Sequence, residues 1–253
     1  MVKKISAIVT CGNEAAHIQG VLESLSWCDE CIVVDSYSED GTPEIAARFT
    51  DKVWQRAYVS PADQKNWAIP QASHEWVLIL DADERVTPAL EQEIRDLLHA
   101  NTIPYVAYRI FRINYFMGKR IRFSGWQHDA VVRFFHRDHG RYPDQMVHEE
   151  LVADGPVGTL KGKLLHFTFK DREHYLQKID RYARWSALDK ESSTGRITWF
   201  HTLLKPAFRF VKHFILQGGV LDGYAGWVIA TTNARGVALR YRYMLANRNA
   251  TTS

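Results

Sequence analysis

An apolar run, Trp76-Val77-Leu78-Ile79-Leu80, stops abruptly at Asp81-Ala82-Asp83-Glu84. Consecutive apolar residues bounded by polar sequence mark a strand buried on both faces, as in mainly parallel sheets covered by helices. Ligands of such sheets bind beyond the carboxyl ends of the strands, so the two acids stand where a ligand would sit. On an extended backbone, residues i and i+2 point the same way. Asp81 and Asp83 are therefore expected to serve one ligand together, for instance a divalent cation bound to phosphates. The competing role for Asp81 is to cap the helix suggested by Thr87-Pro88-Ala89-Leu90-Glu91.

The surrounding sequence repeats the pattern. Cys31-Ile32-Val33-Val34 reads as a strand that also ends in an acid, Asp35, followed by the loop Ser36-Tyr37-Ser38-Glu39-Asp40-Gly41-Thr42-Pro43. Before it, Ile5 to Thr10 reads as a first strand, and Asn13-Glu14 opens a helical stretch through Leu25 whose Ile18, Val21, Leu22 and Leu25 share a face. With a further helix from Pro43 to Phe49, the order is that of an α/β fold with right-handed crossovers.

In chain order, Ile5 to Thr10 with Asn13-Glu14, Val33-Val34-Asp35-Ser36 with Asp40-Gly41-Thr42, Gln64-Lys65-Asn66 and Leu80-Asp81-Ala82-Asp83-Glu84 resemble the nucleotide-sugar half of a family 2 inverting glycosyltransferase with the GT-A fold. Farther on, Arg133-Phe134-Phe135, Val147-His148-Glu149, Leu165-His166-Phe167 and Leu221-Asp222-Gly223 resemble that family's bacterial lipopolysaccharide inner-core β-glucosyltransferase branch. The resemblance implies a Rossmann-like, mixed, mainly parallel sheet flanked by helices. It divides the chain into a nucleotide-sugar half (1–104), an acceptor half of the same domain (105–170) and a C-terminal helical appendage (171–253).

The resemblance also implies roles. Asp35 contacts the nucleoside, Thr10 and Glu14 line the nucleotide cleft, and Lys65 lies near the uridine or the diphosphate. Asp83, with Asp81, holds Mg²⁺ or Mn²⁺ against the diphosphate. The chain departs from the commoner form of the second motif, which has paired acids where Asp35-Ser36 stands here. The implied reaction moves glucose from UDP-glucose onto an inner-core sugar of lipopolysaccharide or a similar lipid-linked glycan.

The residue types suit that chemistry. Departure of a nucleoside diphosphate leaves negative charge that a divalent ion stabilises, and a hard cation takes carboxylate oxygens. No glycine-rich phosphate loop of the nucleotide-triphosphatase type is present, so metal is the more natural holder of the phosphates. Inversion needs a general base for the acceptor hydroxyl. Between Gly125 and Glu150 the densest ionisable cluster is Val147-His148-Glu149-Glu150; the resemblance puts the acid at Glu149, with Asp144 and Asp129 as alternatives. His148 either orients that carboxylate or packs. Trp126 is either a stacking platform for the acceptor sugar or core. His166 either reaches the diphosphate or is satisfied by backbone.

The C-terminal segment changes character. From Lys205 to Ser253 seven Lys or Arg stand against one acid, Asp222, a net of +6 in a chain whose total is +3. Phe208, Val211 and Ile215 fall on one helical face and Arg209, Lys212 and His213 on another. This pattern suits an anionic membrane interface, although a packing helix or a dimer contact would share it. No run of apolar residues is long enough to span a bilayer. The expected location is the cytoplasm, peripheral on the inner face of the cytoplasmic membrane. Three cysteines do not make a disulfide scaffold, and Cys28-Asp29-Glu30-Cys31 reads as structural. Two rival functions are weaker. A nucleotidyltransferase wants a basic glycine-rich signature that Thr10-Cys11-Gly12-Asn13-Glu14 lacks. A nucleic-acid-binding module using the basic C-terminal region conflicts with the carboxylate-edged cleft, so no nucleic acid is expected as a partner.

Overall fold

The computed structural model describes residues 2–143, 150–169, 171–191 and 193–252. In chain order the elements are β1 (Ile5–Cys11), α1 (Ile18–Ser24), β2 (Glu30–Asp35), α2 (Thr42–Ala46), β3 (Val53–Gln55), α3 (Pro61–Ala68), β4 (Trp76–Asp81), β5 (Glu84–Val86), α4 (Pro88–His99), β6 (Ala107–Phe116), β7 (Lys119–Arg120), β8 (Ala130–His136), β9 (Gly140–Arg141), β10 (Val152–Ala153), β11 (Val157–Phe169), α5 (Arg172–Asp189), α6 (Lys205–Val211) and α7 (Tyr224–Thr252). They form two units, Met1–Ile113 with Asp129–His166, and Asn114–His128 with Phe167–Ser253. The segment 114–128, expected in the acceptor half, thus belongs with the C-terminal helices.

The main sheet runs β3-β2-β1-β4-β8-β6-β11-β5. β1 pairs in parallel with β2 and β4, and β2 with β3; β8 is antiparallel to β4 and β6, and β5 to β11. The fold is therefore the expected mixed sheet with flanking helices. Burial explains why β1, β2 and β4 read as unbroken apolar runs. Leu78 and Leu80 enter one core with Ile18, Val21 and Leu22 of α1 and Leu90 and Ile94 of α4. Val77 and Ile79 enter the core on the opposite face with Ala62 and Ala68 of α3. Successive residues of one strand serve two cores, so neither face can be polar.

Local chemistry sets the helix starts. Ser60 accepts the Asp63 N–H ahead of Pro61, and Thr87 accepts the Leu90 N–H ahead of Pro88. Thr87, and not Asp81, is therefore the cap of α4. Helix α1 begins at Ile18 instead of Asn13, because Glu14 to His17 form a turn. Cys11, Cys28 and Cys31 are free, and burial pushes the Cys31 thiol up to about 12.

At the amino end of β2, Glu30 is buried and accepts from the Ser6 hydroxyl, the Lys52 ammonium, and the N–H and hydroxyl of Ser73 at 2.8 and 2.7 Å. Burial alone would raise its pKa; the donors bring it from 4.5 down to about 2. A folded-state pKa below the unfolded one contributes stability that is present above the unfolded value and lost as pH falls through the folded value. Glu30→Gln should therefore cost about 3 kcal/mol at neutral pH and flatten the loss of stability between roughly pH 4.5 and 2. Urea titrations at several pH values check this; parallel acid limbs for both proteins would refute it.

The second unit packs Phe116, Ile121, Tyr175, Ala225, Val228 and Ile229 into a core. Its organising side chain is Asp222, almost fully buried. That carboxylate accepts from the Arg122 and Phe123 N–H groups at 3.0 and 3.1 Å and the Ser124 hydroxyl at 2.7 Å. It pins a loop in which Ser124 and Gly125 both adopt positive φ, 61° and 85°. Gly226 is required beside it, because a Cβ there would meet the Gly219 carbonyl oxygen at 1.9 Å.

Candidate active site

The carboxyl ends of β1, β2 and β4 lie side by side, with Thr10 registered to both Val34 and Asp81, and Cys11 to Asp35. Asp81 closes β4, and the chain then turns through Ala82 and Asp83 into β5. The turn separates the two acids that an extended backbone would have aimed together. Asp81 engages Lys65 Nζ at 3.1 Å through Oδ1 and the Arg133 guanidinium through Oδ2, with the Thr10 hydroxyl 3.5 Å away. Asp83 faces His166 instead, Oδ2 to Nε2 at 3.6 Å, both side chains mostly buried. Register accounts for that meeting, since His166 of β11 is the ladder partner of Glu84, the residue after Asp83.

Beneath the edge runs a chain of alternating charges. Glu84 is fully buried; it takes the Asp81 N–H at 3.1 Å, Arg112 at 3.1 Å and Arg133 at 3.0 Å. Arg112 forks onto Asp129 at 2.9 and 2.7 Å. The sequence Asp129–Arg112–Glu84–Arg133–Asp81–Lys65 is thus continuous, and Lys65 ends it over the Tyr142 ring at 5.2 Å. Burial would raise the Asp81 pKa, but the charges of Arg133 and Lys65 hold it well below the usual carboxylate range. Burial would lower that of Arg133, and Asp81 and Glu84 raise it instead.

The expected residues within the described part of the chain have the following surroundings. Lys65 is almost fully buried against Asp81. Asp35 has no solvent exposure: its carboxylate takes the Ser38 N–H at 2.8 Å and the Ser38 hydroxyl, and so shapes the loop after β2. Glu14 lies where the Thr42 hydroxyl accepts its backbone N–H at 2.9 Å, tying the loops after β1 and β2 together. Asp129, an alternative for the base, is committed to Arg112. Trp126 belongs to the second unit, edge-on to Phe116 with centroids 6.0 Å apart. Asp144, His148 and Glu149 lie outside the described residues, and the neighbouring Glu150 pairs with Arg109 at 2.8 Å. The sequence reading missed the structural work of Glu84 and Arg112. Their only signal was an acid directly after the Asp-x-Asp pattern and a basic residue inside an apolar strand. His166 was a candidate for the diphosphate, not for the company of Asp83.

A mixed sheet whose parallel edge carries an Asp-x-Asp turn, backed by cations and met by a histidine, defines an α/β transferase of the GT-A kind. The chain belongs to glycosyl transferase family 2, whose model matches residues 6–151. It is a glycosyltransferase. It is 32% identical to the lipopolysaccharide core biosynthesis glycosyltransferase LpsC of Rhizobium meliloti, over 91% of this chain and 87% of that protein. It is 24% identical to an uncharacterized glycosyltransferase of Rickettsia typhi, over 98% and 92%. Among solved structures, the mannosyltransferase PcManGT from Pyrobaculum calidifontis, in complex with GDP-Man and Mn²⁺, aligns with a TM-score of 0.55 at 16% identity, over 98% of this chain and 88% of that one. S. aureus TarS 1-349 in complex with UDP-GlcNAc aligns with a TM-score of 0.51 at 15% identity, over 98% and 92%.

Proposed function

We propose that the protein is a metal-dependent inverting glycosyltransferase that moves glucose from UDP-glucose onto an inner-core sugar of lipopolysaccharide or a similar lipid-linked glycan. The observation that carries the reading is the Asp83–His166 pair at the carboxyl edge of the parallel strands. A carboxylate oxygen and an imidazole nitrogen at that spacing suit Mg²⁺ or, better, Mn²⁺. Among the described residues no three His, Cys, Asp or Glu side chains gather around one point, so donor oxygens and water would complete the set. Bound there, the ion would offset charge on the departing diphosphate.

The chain's own residues do the rest. Asp81, fixed between Lys65 and Arg133, presents a third-exposed carboxylate edge to the donor. Thr10 and Glu14 line the nucleotide cleft, while Asp35 acts on the nucleoside end by shaping the loop through Ser38. Glu149 takes the acceptor hydroxyl's proton, and His148 and Trp126 keep the roles the sequence suggests for them. The LpsC relative supports the lipopolysaccharide core as acceptor. Such an acceptor is anchored in lipid, so the enzyme works as a peripheral protein on the inner face of the cytoplasmic membrane; no helix among the described residues is long and apolar enough to cross it.

Melting with UDP, UDP-glucose, UDP-galactose, GDP-mannose and CMP, each with and without Mn²⁺, tests the reading. A donor at a hundred times its Kd stabilises the native state by about 2.7 kcal/mol, roughly 5–10 °C in Tm for a chain of this size. The expected result is that shift with UDP-glucose, dependent on Mn²⁺. A response to another nucleotide sugar alone would replace the donor, and no response to any would overturn the donor and metal reading.

A further inference from the structure

The second unit exposes what proteins usually bury. Along 199–216 every exposed position is apolar, from Trp199 and Phe200 through Leu203 and Phe208 to Ile215 and Leu216. Their spacing of one, three and four residues makes a single stripe along α6 and the wider helical turns at its two ends, Phe200–Leu204 and Lys212–Leu216. Phe208 is 62% exposed, Trp199 67% and Leu216 68%. Lys205 and His213 of the same stretch point the other way. Lys205 Nζ donates to the Tyr241 hydroxyl at 3.0 Å, and His213 is buried with Nδ1 donating to the Ser124 carbonyl at 2.8 Å. The amphipathic pattern legible in the sequence is present, with its apolar face turned outward. Val220, Leu221, Tyr224 and Trp227 extend it, so that 12 of the 23 exposed large apolar residues among those described fall between 199 and 227.

A solvated packing helix would show the reverse arrangement, and an apolar patch this large marks an interaction surface. Charge decides what covers it. Between 193 and 252 there are eight Lys or Arg and one acid, Asp222, and that acid is buried with its oxygens taken by Arg122, Phe123 and Ser124. This segment therefore offers no accessible negative charge. A second copy seated by two-fold symmetry would bring the same cations to the same patch, a like-charge contact. A layer of anionic phospholipid brings both an apolar interior for the stripe and phosphates for its cationic flanks.

We propose that the face formed by residues 199–227 seats in the interface of an anionic phospholipid layer, with the apolar stripe at the acyl boundary and the flanking Lys and Arg at the headgroup phosphates. Its purpose rests on the proposed lipid-linked acceptor; the observation does not.

Co-sedimentation of the full chain with vesicles of phosphatidylglycerol and phosphatidylethanolamine, against vesicles of phosphatidylcholine, is the test. The wild type should bind the anionic vesicles at least tenfold more tightly, and less so as salt rises. A variant with Leu203→Ser, Phe208→Ser and Leu216→Ser, all solvent-exposed and outside the donor site, should lose binding at least tenfold while keeping the wild-type Tm. Three results would overturn the proposal: no binding to either vesicle, undiminished binding by the triple variant, or a wild-type dimer in light scattering that the triple variant dissolves. No donor or acceptor enters this assay. A protein that binds vesicles but melts identically with every nucleotide sinks the proposed donor and metal alone, and the converse result sinks only the lipid surface.

Discussion

Asp83→Ala should lower glycosyl transfer on the order of 10³-fold, a loss of about 4 kcal/mol of transition-state stabilisation. The side chain sits in the turn between β4 and β5 with His166 at 3.6 Å, outside the hydrophobic cores, so the ligand-free Tm should change little. The decisive readout is the Mn²⁺-dependent part of the UDP-induced Tm increase, which should vanish in the variant. Asp81→Asn is the contrasting case. Asp81 neutralises two buried cations, so its loss should lower the ligand-free Tm as well as turnover. Near-normal turnover in Asp83→Ala with its metal response intact would remove Asp83 as a ligand.

Glu84→Ala should be the most destabilising single change at the site. The carboxylate is inaccessible to water and holds Arg112, Arg133 and the Asp81 N–H at once. Deleting it leaves the Arg112 and Arg133 guanidinium groups beside each other with only Asp129 and Asp81 to balance them. Breaking a buried ion pair from one side costs about 3–5 kcal/mol, which for a chain of this length lowers Tm by roughly 10 °C or more. Urea denaturation measures it; a loss under about 1 kcal/mol would show that the chain of charges is not coupled as drawn. Restoring charge balance by adding Arg112→Met should recover part of the loss, because the second change removes one of the stranded cations.

The sheet was legible because β1, β2 and β4 lie between two cores. That leaves no polar alternation to blur the signal, and their terminal acids mark the carboxyl edge. The antiparallel half was less so: β11 runs 13 residues and carries both Leu164 of the core and His166 of the site, yet nothing local announces its register with β5. The partnership of Asp83 with His166 depends on that register across more than eighty residues, which is why spacing alone paired Asp83 with Asp81. Likewise the motif singled out Asp35 and Lys65, but their burial follows from long-range packing against Ser38 and Asp81. In the C-terminal helices the sequence carried the period of the stripe and not its direction. Which face of an amphipathic helix turns outward depends on where α7 and the loop at Ser124 offer polar partners.

The six-residue chain of charges beneath β4 has three acids and three bases and so sums to zero. The diphosphate of the proposed donor would therefore not meet a bare Asp81: its charge is already balanced from behind by Lys65 and Arg133, whose burial keeps both cations out of reach of competing anions in solution. What the donor encounters first is a dipolar edge, with the carboxylate outward and its counter-charges behind. Such an edge orients hydroxyls and water well and binds stray phosphate poorly, a means of telling a nucleotide sugar from the inorganic phosphate that surrounds it in far greater number.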